Sequence, residues 1–376
     1  MWKLLPIFII GLMMTFWSDR TSIYETGSCG ERQYIRKEKF IYFLMAFALA
    51  VFVGLRTRGN DTSAYRHMYD LLEVGLSSIR SVDWAKLAAA PGFTFVNILL
   101  KTVGLSFQDY LMVYALFTII TYLWFIRKYS CHTLFSVFLF FTMGIYGFTM
   151  AAIKQTVAVA LLVIATDRAM QKKYVSFVIF VLIAELFHPY AFIYLIVPFL
   201  TFRPWSGKTY WLLAFSVVAA LGLQYFLDPI LDITDALGGG YDETSFTGDG
   251  VNIFRVLVVW VPVILSFLAR NLIRKENDRV SNIIMNLAMV NAMIMFIGLF
   301  GTANYFARLA NYFLIFQALA LPWVLNFFEP KSKRTLTICA IVGFLAYFYY
   351  GTAIANGAFD DNYSFITFFD FLKQLL

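Results

Sequence analysis

Charge is scarce in this chain. Of its 376 residues only 14% are Asp, Glu, Lys or Arg, against roughly 25% in soluble globular proteins, which excludes a soluble domain. Cysteine and histidine number three each and form no zinc-ligand pattern, and three thiols need no disulfide. There is no phosphate-binding Walker loop, no dinucleotide glycine motif and no nucleophile elbow. The segment Phe16-Trp17-Ser18 lacks the small-x-small cleavage site of a signal peptide, so the first apolar run is expected to be retained as a span. No internal repeat, heptad seam or low-complexity tract is found.

Hydrophobic residues dominate instead, at 60%, with 41 Phe and 22 Tyr. The apolar runs, about 15 to 20 residues long, lack the alternating polar face of a membrane barrel. They read as helices near 4–18, 40–55, 109–126, 133–149, 151–169, 174–187, 189–202, 210–226, 253–270, 281–299, 309–327 and 336–354. The expectation is an all-α polytopic membrane protein of about 12 transmembrane helices, a single integral domain over 1–376, because each crossing takes roughly 20 residues. The stretch 93–104 is too short to cross and carries Lys101, so it is expected as a re-entrant or interfacial helix.

The net charge of +7 comes from short basic clusters between apolar runs, the pattern of topology determinants rather than of a nucleic-acid surface. The loops 19–39, 127–132, 168–173, 203–208, 270–279 and 329–334 hold 19 of the 30 Lys and Arg. That side reads as cytoplasmic; Cys29, Cys131 and Cys339 lie on or near it, where thiols stay reduced. The other face then carries two long loops, 56–92 and 227–252, and the segment after 355. The acidic loop 227–250 around Gly238-Gly239-Gly240 lacks the spacing of a calcium loop and reads as solvated, with no metal site.

Arg56, Lys154, His188 and Arg308 stand apart from the basic clusters, all at outer helix ends. An Arg or Lys in the apolar region costs roughly 2.5–3.5 kcal/mol, so such residues pair, snorkel or line a cavity. Arg56 and Arg58, in Gly54-Leu55-Arg56-Thr57-Arg58-Gly59-Asn60-Asp61 followed by Tyr65, have the spacing to grip a phosphate or pyrophosphate, with Asp61 fixing one guanidinium. A snorkelling Arg paired with Asp61 is the plainer alternative. Lys154, beside Gln155 at a tight turn, suits an anionic headgroup or simply marks the interface. His188 precedes Pro189 at a helix start, where imidazole stays neutral and can act as a base oriented by Glu185; an inert polar break, or one long tilted helix over 174–202, is the alternative. Tyr305, Arg308 and Tyr312 fall on one helical face, suited to stacking a sugar and holding a phosphate, or to an aromatic interfacial belt.

On these residues the chain resembles the EpsG family of bacterial exopolysaccharide membrane proteins, which look like Wzy-type polysaccharide polymerases. The matching pieces are Gly54-Leu55-Arg56 with Asp61 and Tyr65, Pro91-Gly92-Phe93, Lys154-Gln155, Phe187-His188-Pro189, and Arg308 with Tyr312-Phe313. Two positions depart: Lys154 stands where the family commonly has Arg, and Ala90 where it commonly has an acid. The resemblance implies polymerisation of polyprenyl-pyrophosphate-linked repeat units at the outer face of the bacterial plasma (inner) membrane, by a multi-pass protein needing no cofactor or metal. The implied partners are the lipid-linked glycan, the bilayer, a chain-length regulator and a flippase, and no nucleic acid. It implies Arg56, Arg58, Lys154 and Arg308 around the pyrophosphate with Gln155, Tyr65, Tyr305 and Tyr312 beside them, and His188, Asp61 or Glu185 in acid–base work. The rivals are a flippase or transporter of the same lipid-linked oligosaccharide, and a membrane O-acyltransferase.

Overall fold

The computed structural model describes residues 2–26, 32–36, 38–75, 90–222, 250–301, 303–355 and 359–375, with positions 79, 225 and 232. Up to residue 249 the expected loop 227–252 lies outside the described residues apart from position 232, as does most of 76–89.

Helices account for most of the described chain, and the only sheets there are two strand pairs, Ile23–Thr26 with Arg32–Arg36 and Arg56–Arg58 with Ser364–Phe365. Among the described residues three helices are long and apolar enough to cross a membrane: Phe107–Tyr129, Arg279–Ile297 and Pro330–Ile354. Two bent pairs, Thr133–Thr142 with Ile145–Ala151 (47°) and Tyr305–Asn311 with Leu314–Leu325 (57°), bring the number to five if each is one span. The remaining apolar helices, such as Phe40–Gly54 and Ile253–Leu268, are shorter, so length and composition support an all-α membrane protein without reaching the expected dozen crossings.

The polar contacts sort into two ends. At one, Lys128 and Tyr129 meet Asp167, Arg279 donates to the Ala169 carbonyl (3.3 Å), Arg203 to Asn277 (3.0 Å) and the Leu134 amide to Asp19 (3.3 Å). These are the loops read from sequence as one basic face. At the other, Gln108 donates to the Gly54 carbonyl, Gln155 to that of Arg308, and the Val251 amide to that of Gly298.

Two ambiguities close on this division. Arg279 also donates to the Tyr174 hydroxyl (2.8 Å), while Asn286 donates to the Leu200 and Phe202 carbonyls. Residues 174 and 200–202 are therefore at the same end, and 174–202 is a hairpin turning at His188 rather than one long helix. Its second arm, Pro189–Phe199, is a 3-10 helix containing Pro198, whose missing N–H leaves an α-helical bond unmade. The helix Pro91–Thr102 starts against Leu186, whose carbonyl accepts the Gly92 amide at 2.8 Å, and ends where Lys101 caps the carbonyls of Tyr69, Asp70 and Leu72. Both of its ends lie at the site end, as a half-helix requires. A Cβ on Gly92 would sit 2.6 Å from the Leu186 Cβ, so this contact tolerates no side chain.

Candidate functional site

The helix expected over 309–327 is broken, and the break sets the site. It opens as a π-helix, Ala303–Ala307, passes through Arg308–Asn311 and bends before Leu314–Leu325. A broken helix is tolerated inside a membrane bundle only where its freed carbonyls find other donors. Here Gln155 donates to the Arg308 carbonyl, Asn291 to that of Ala310 and the Tyr194 hydroxyl to that of Tyr312, each at 2.6 Å. So anchored, the exposed Arg308 side chain lines the cavity.

This cavity, of about 1270 Å³, is walled by Arg58 to Asn60 with Ser63, the bend at 141–151, Asn252 and Arg255, Arg308 and Asn311, Tyr347 and Tyr350 to Thr352, and Phe359 with Asn362 and Tyr363. Arg58, Arg255 and Arg308 are its charged lining residues, and no Asp or Glu is among the described ones. None of the three forms an ion pair among the described residues. Asn60, Asn252, Asn311 and Asn362 supply amides, and Tyr146, Tyr347, Tyr350 and Tyr363 aromatic surface. The floor is apolar, with Phe141, Val259, Met295 and Leu314. Guanidiniums in a recess with no carboxylate partner among the described residues concentrate anions, and amides with aromatic faces suit a sugar.

The expected site residues divide. Arg58 and Arg308 reach this cavity; Arg56, Asp61, Tyr65, Lys154, Gln155, Glu185, His188, Tyr305 and Tyr312 stand outside its lining. Arg56 is only 2% exposed and donates to the Val53 carbonyl at 3.0 Å and the Thr62 hydroxyl at 3.3 Å. Thr62, not Asp61, fixes it. Burial pushes its pKa down to about 10, countered by the nearby Tyr110, Tyr363 and Tyr65 hydroxyls, so it stays charged. The expected two-arginine grip is not assembled, because the strand bulge between residues 56 and 58 accompanies one buried side chain and one exposed side chain.

Behind Arg308 a second cluster forms. The Tyr312 hydroxyl and His188 Nδ1 are hydrogen-bonded at 2.6 Å, and Lys154 lies over the Phe93 ring at 5.3 Å. Burial, followed by the charges of Arg308 and Lys154, pushes the pKa of His188, in its turn between helices, down to about 4. The imidazole is thus neutral near pH 7. Tyr312 rather than Glu185 is its hydrogen-bond partner, and Glu185 Oε2 is buried with no hydrogen-bond partner among the described residues. Tyr312 is fully buried and Tyr305 packs edge-on to Tyr190 at 5.6 Å. The bend removes the continuous Tyr305–Arg308–Tyr312 face, and the aromatic surface at the cavity is that of its wall.

Gln155, expected at the substrate, is buried and supports the Arg308 backbone instead. Replacing it with Ala leaves that carbonyl without its donor, and is expected to lower stability by about 1–3 kcal/mol, read as a lower unfolding temperature in detergent, with Gln155→Asn recovering part of it.

Arg255 is the residue the sequence reading passed over. It stands one turn inside an apolar run, as Arg56 stands just past one, and that misplaced charge was the available signal.

The sequence model of the EpsG family matches residues 39–368, and the chain belongs to that family. Among curated proteins and among solved structures nothing matches it.

Proposed function

From membership of the EpsG family, which points to polysaccharide polymerisation in general, we propose that this protein joins polyprenyl-pyrophosphate-linked repeat units at the outer face of the bacterial plasma membrane. The observation that carries the reading is the cavity lined by Arg58, Arg255 and Arg308 with no described carboxylate. The chemistry is glycosyl transfer. An acceptor sugar hydroxyl attacks the anomeric carbon of the donor glycan, the bond from that carbon to the pyrophosphate oxygen breaks, and the lipid pyrophosphate leaves with the electron pair.

Charge grows on the leaving oxygen as that bond breaks, so preorganised donors aimed there lower the barrier. Arg58 and Arg308 take that part, and Arg56 and Lys154 add positive charge behind them. His188, neutral and held by Tyr312, is the proposed base for the acceptor hydroxyl. It stands outside the cavity lining, hydrogen-bonded to Tyr312. Asp61 and Glu185 stand off the cavity wall and are the weaker choices. The basic end, by the distribution of Lys and Arg, is placed in the cytoplasm.

A flippase needs a charged path reachable from both faces. The lining here belongs to the end opposite the basic one, which favours a polymerase. Deleting the gene in its host and separating lipid-linked and surface glycans tests this. Loss of long polymer with single repeat units exposed outside is the expected result. Units trapped inside would instead mean a flippase, and unchanged polymer length with altered acylation an acyltransferase.

A further inference from the structure

Resting on that reading, we infer that Arg255, with Asn252, Tyr347 and Tyr350, forms a second diphosphate subsite that holds the acceptor lipid, distinct from the donor cradle of Arg58 and Arg308. The two groups hang on different parts of the fold. Arg308 belongs to the broken helix and acts on His188 and Tyr65, and Arg58 to the strand Arg56–Arg58. Arg255 sits in the first turn of Ile253–Leu268 and lines the cavity beside Tyr347 of the helix Pro330–Tyr349.

Its neighbours are tied together. Asn252 donates to the Tyr350 hydroxyl at 3.0 Å, and the Phe254 and Tyr350 rings meet edge-on at 5.2 Å. Side chains tied together in this way are preorganised, so less is lost on ordering them around an anion. At about 1270 Å³ the cavity exceeds the roughly 300–1,000 Å³ that encloses one drug-sized ligand, so it has room for more than one diphosphate group.

Charge gives the same answer. A sugar diphosphate diester carries one charge per phosphate, so one donor answers Arg58 and Arg308, and Arg255 is left in the same recess without an anionic partner among the described residues. Block transfer joins two lipid-linked chains, each with its own diphosphate. A site for each places the acceptor sugar against the donor's anomeric carbon.

The test uses the full chain in nanodiscs and, as probe, a long-chain polyprenyl pyrophosphate without sugar, with occupancy read by native mass spectrometry. Wild type is expected to take two lipids per chain, and Arg255→Ala and Arg255→Gln one, the second binding weakening about tenfold to a hundredfold. Occupancy of one in wild type, or of two in both Arg255 variants, overturns the inference and leaves the polymerase reading standing; no binding at all removes both.

A kinetic arm separates acceptor from donor. A repeat unit whose anomeric oxygen is replaced by a methylene group can accept but not donate. Arg255→Gln should raise its KM about tenfold or more with kcat within about twofold of wild type. A fall in kcat with that KM unchanged would place Arg255 in the donor cradle and overturn the assignment. Arg255→Lys, which keeps the charge, should bind both lipids and recover part of the KM.

Discussion

Arg308→Ala is expected to abolish long polymer while the protein accumulates and elutes normally. Its guanidinium is exposed into the cavity and pairs with no carboxylate among the described residues, so the folded state loses little when it goes; exposed substitutions of this kind stay within about 0.5 kcal/mol. The reaction loses far more, because removing one preorganised donor from developing negative charge costs roughly 10²–10³ in turnover. Arg308→Lys keeps the charge and loses the fork, and should recover only part of the activity. The measurement is incorporation of labelled lipid-linked units by purified protein in nanodiscs, alongside its elution profile. Turnover within twofold of wild type in the alanine variant would remove Arg308 from the donor cradle.

Arg56→Ala should fail in the opposite way. The side chain is buried and closes the helix Phe40–Gly54 by donating to the Val53 carbonyl, while it ties Thr62 to the same point. Truncation opens a cavity and strips that carbonyl of its donor, for a loss of about 3–5 kcal/mol. Folded chains rest on roughly 5–15 kcal/mol in all, so the protein should drop in membrane abundance and unfolding temperature before any effect on chemistry can be read. Arg58→Ala, two residues on and exposed, should keep both and lose polymer. An Arg56→Ala protein as abundant and heat-stable as wild type, yet inactive, would return Arg56 to direct substrate contact.

This pair shows where sequence reading stops. The break points were legible because charge, proline and glycine interrupt apolar runs. The half-helix 91–102, the hairpin turn at His188 and the gathering of basic loops at one end all follow from that punctuation. Which way a side chain points is a different matter. Arg56 and Arg58 look alike in sequence, and their separation into a buried strut and a cavity cation depends on a strand partner more than three hundred residues away.

The π-turn at Ala303–Ala307 and the bend after Asn311 were equally hidden. The bend is held by Gln155, Asn291 and Tyr194 on three other helices, not by a local signal. A periodic reading therefore put Tyr305, Arg308 and Tyr312 on one face that does not form. Arg255 was missed for a related reason, since an arginine in the first turn of an apolar run reads as an interfacial anchor until Tyr347 and the cavity are seen beside it.

The strand pair Arg56–Arg58 with Ser364–Phe365 bears on how the protein assembles. Asp360 receives the Trp2 and Lys3 amides across 358 and 357 residues, and the Tyr363 ring fills the space that a side chain at Gly59 (φ +145°) would occupy. Contacts between such distant positions are slow to find and form after local ones. Helices that enter the bilayer one after another would therefore all be in place while this wall of the recess is still open. On the proposed function, a chain whose C-terminal segment has not yet closed on Arg56–Arg58 would lack this wall of the recess and would retain no lipid substrate.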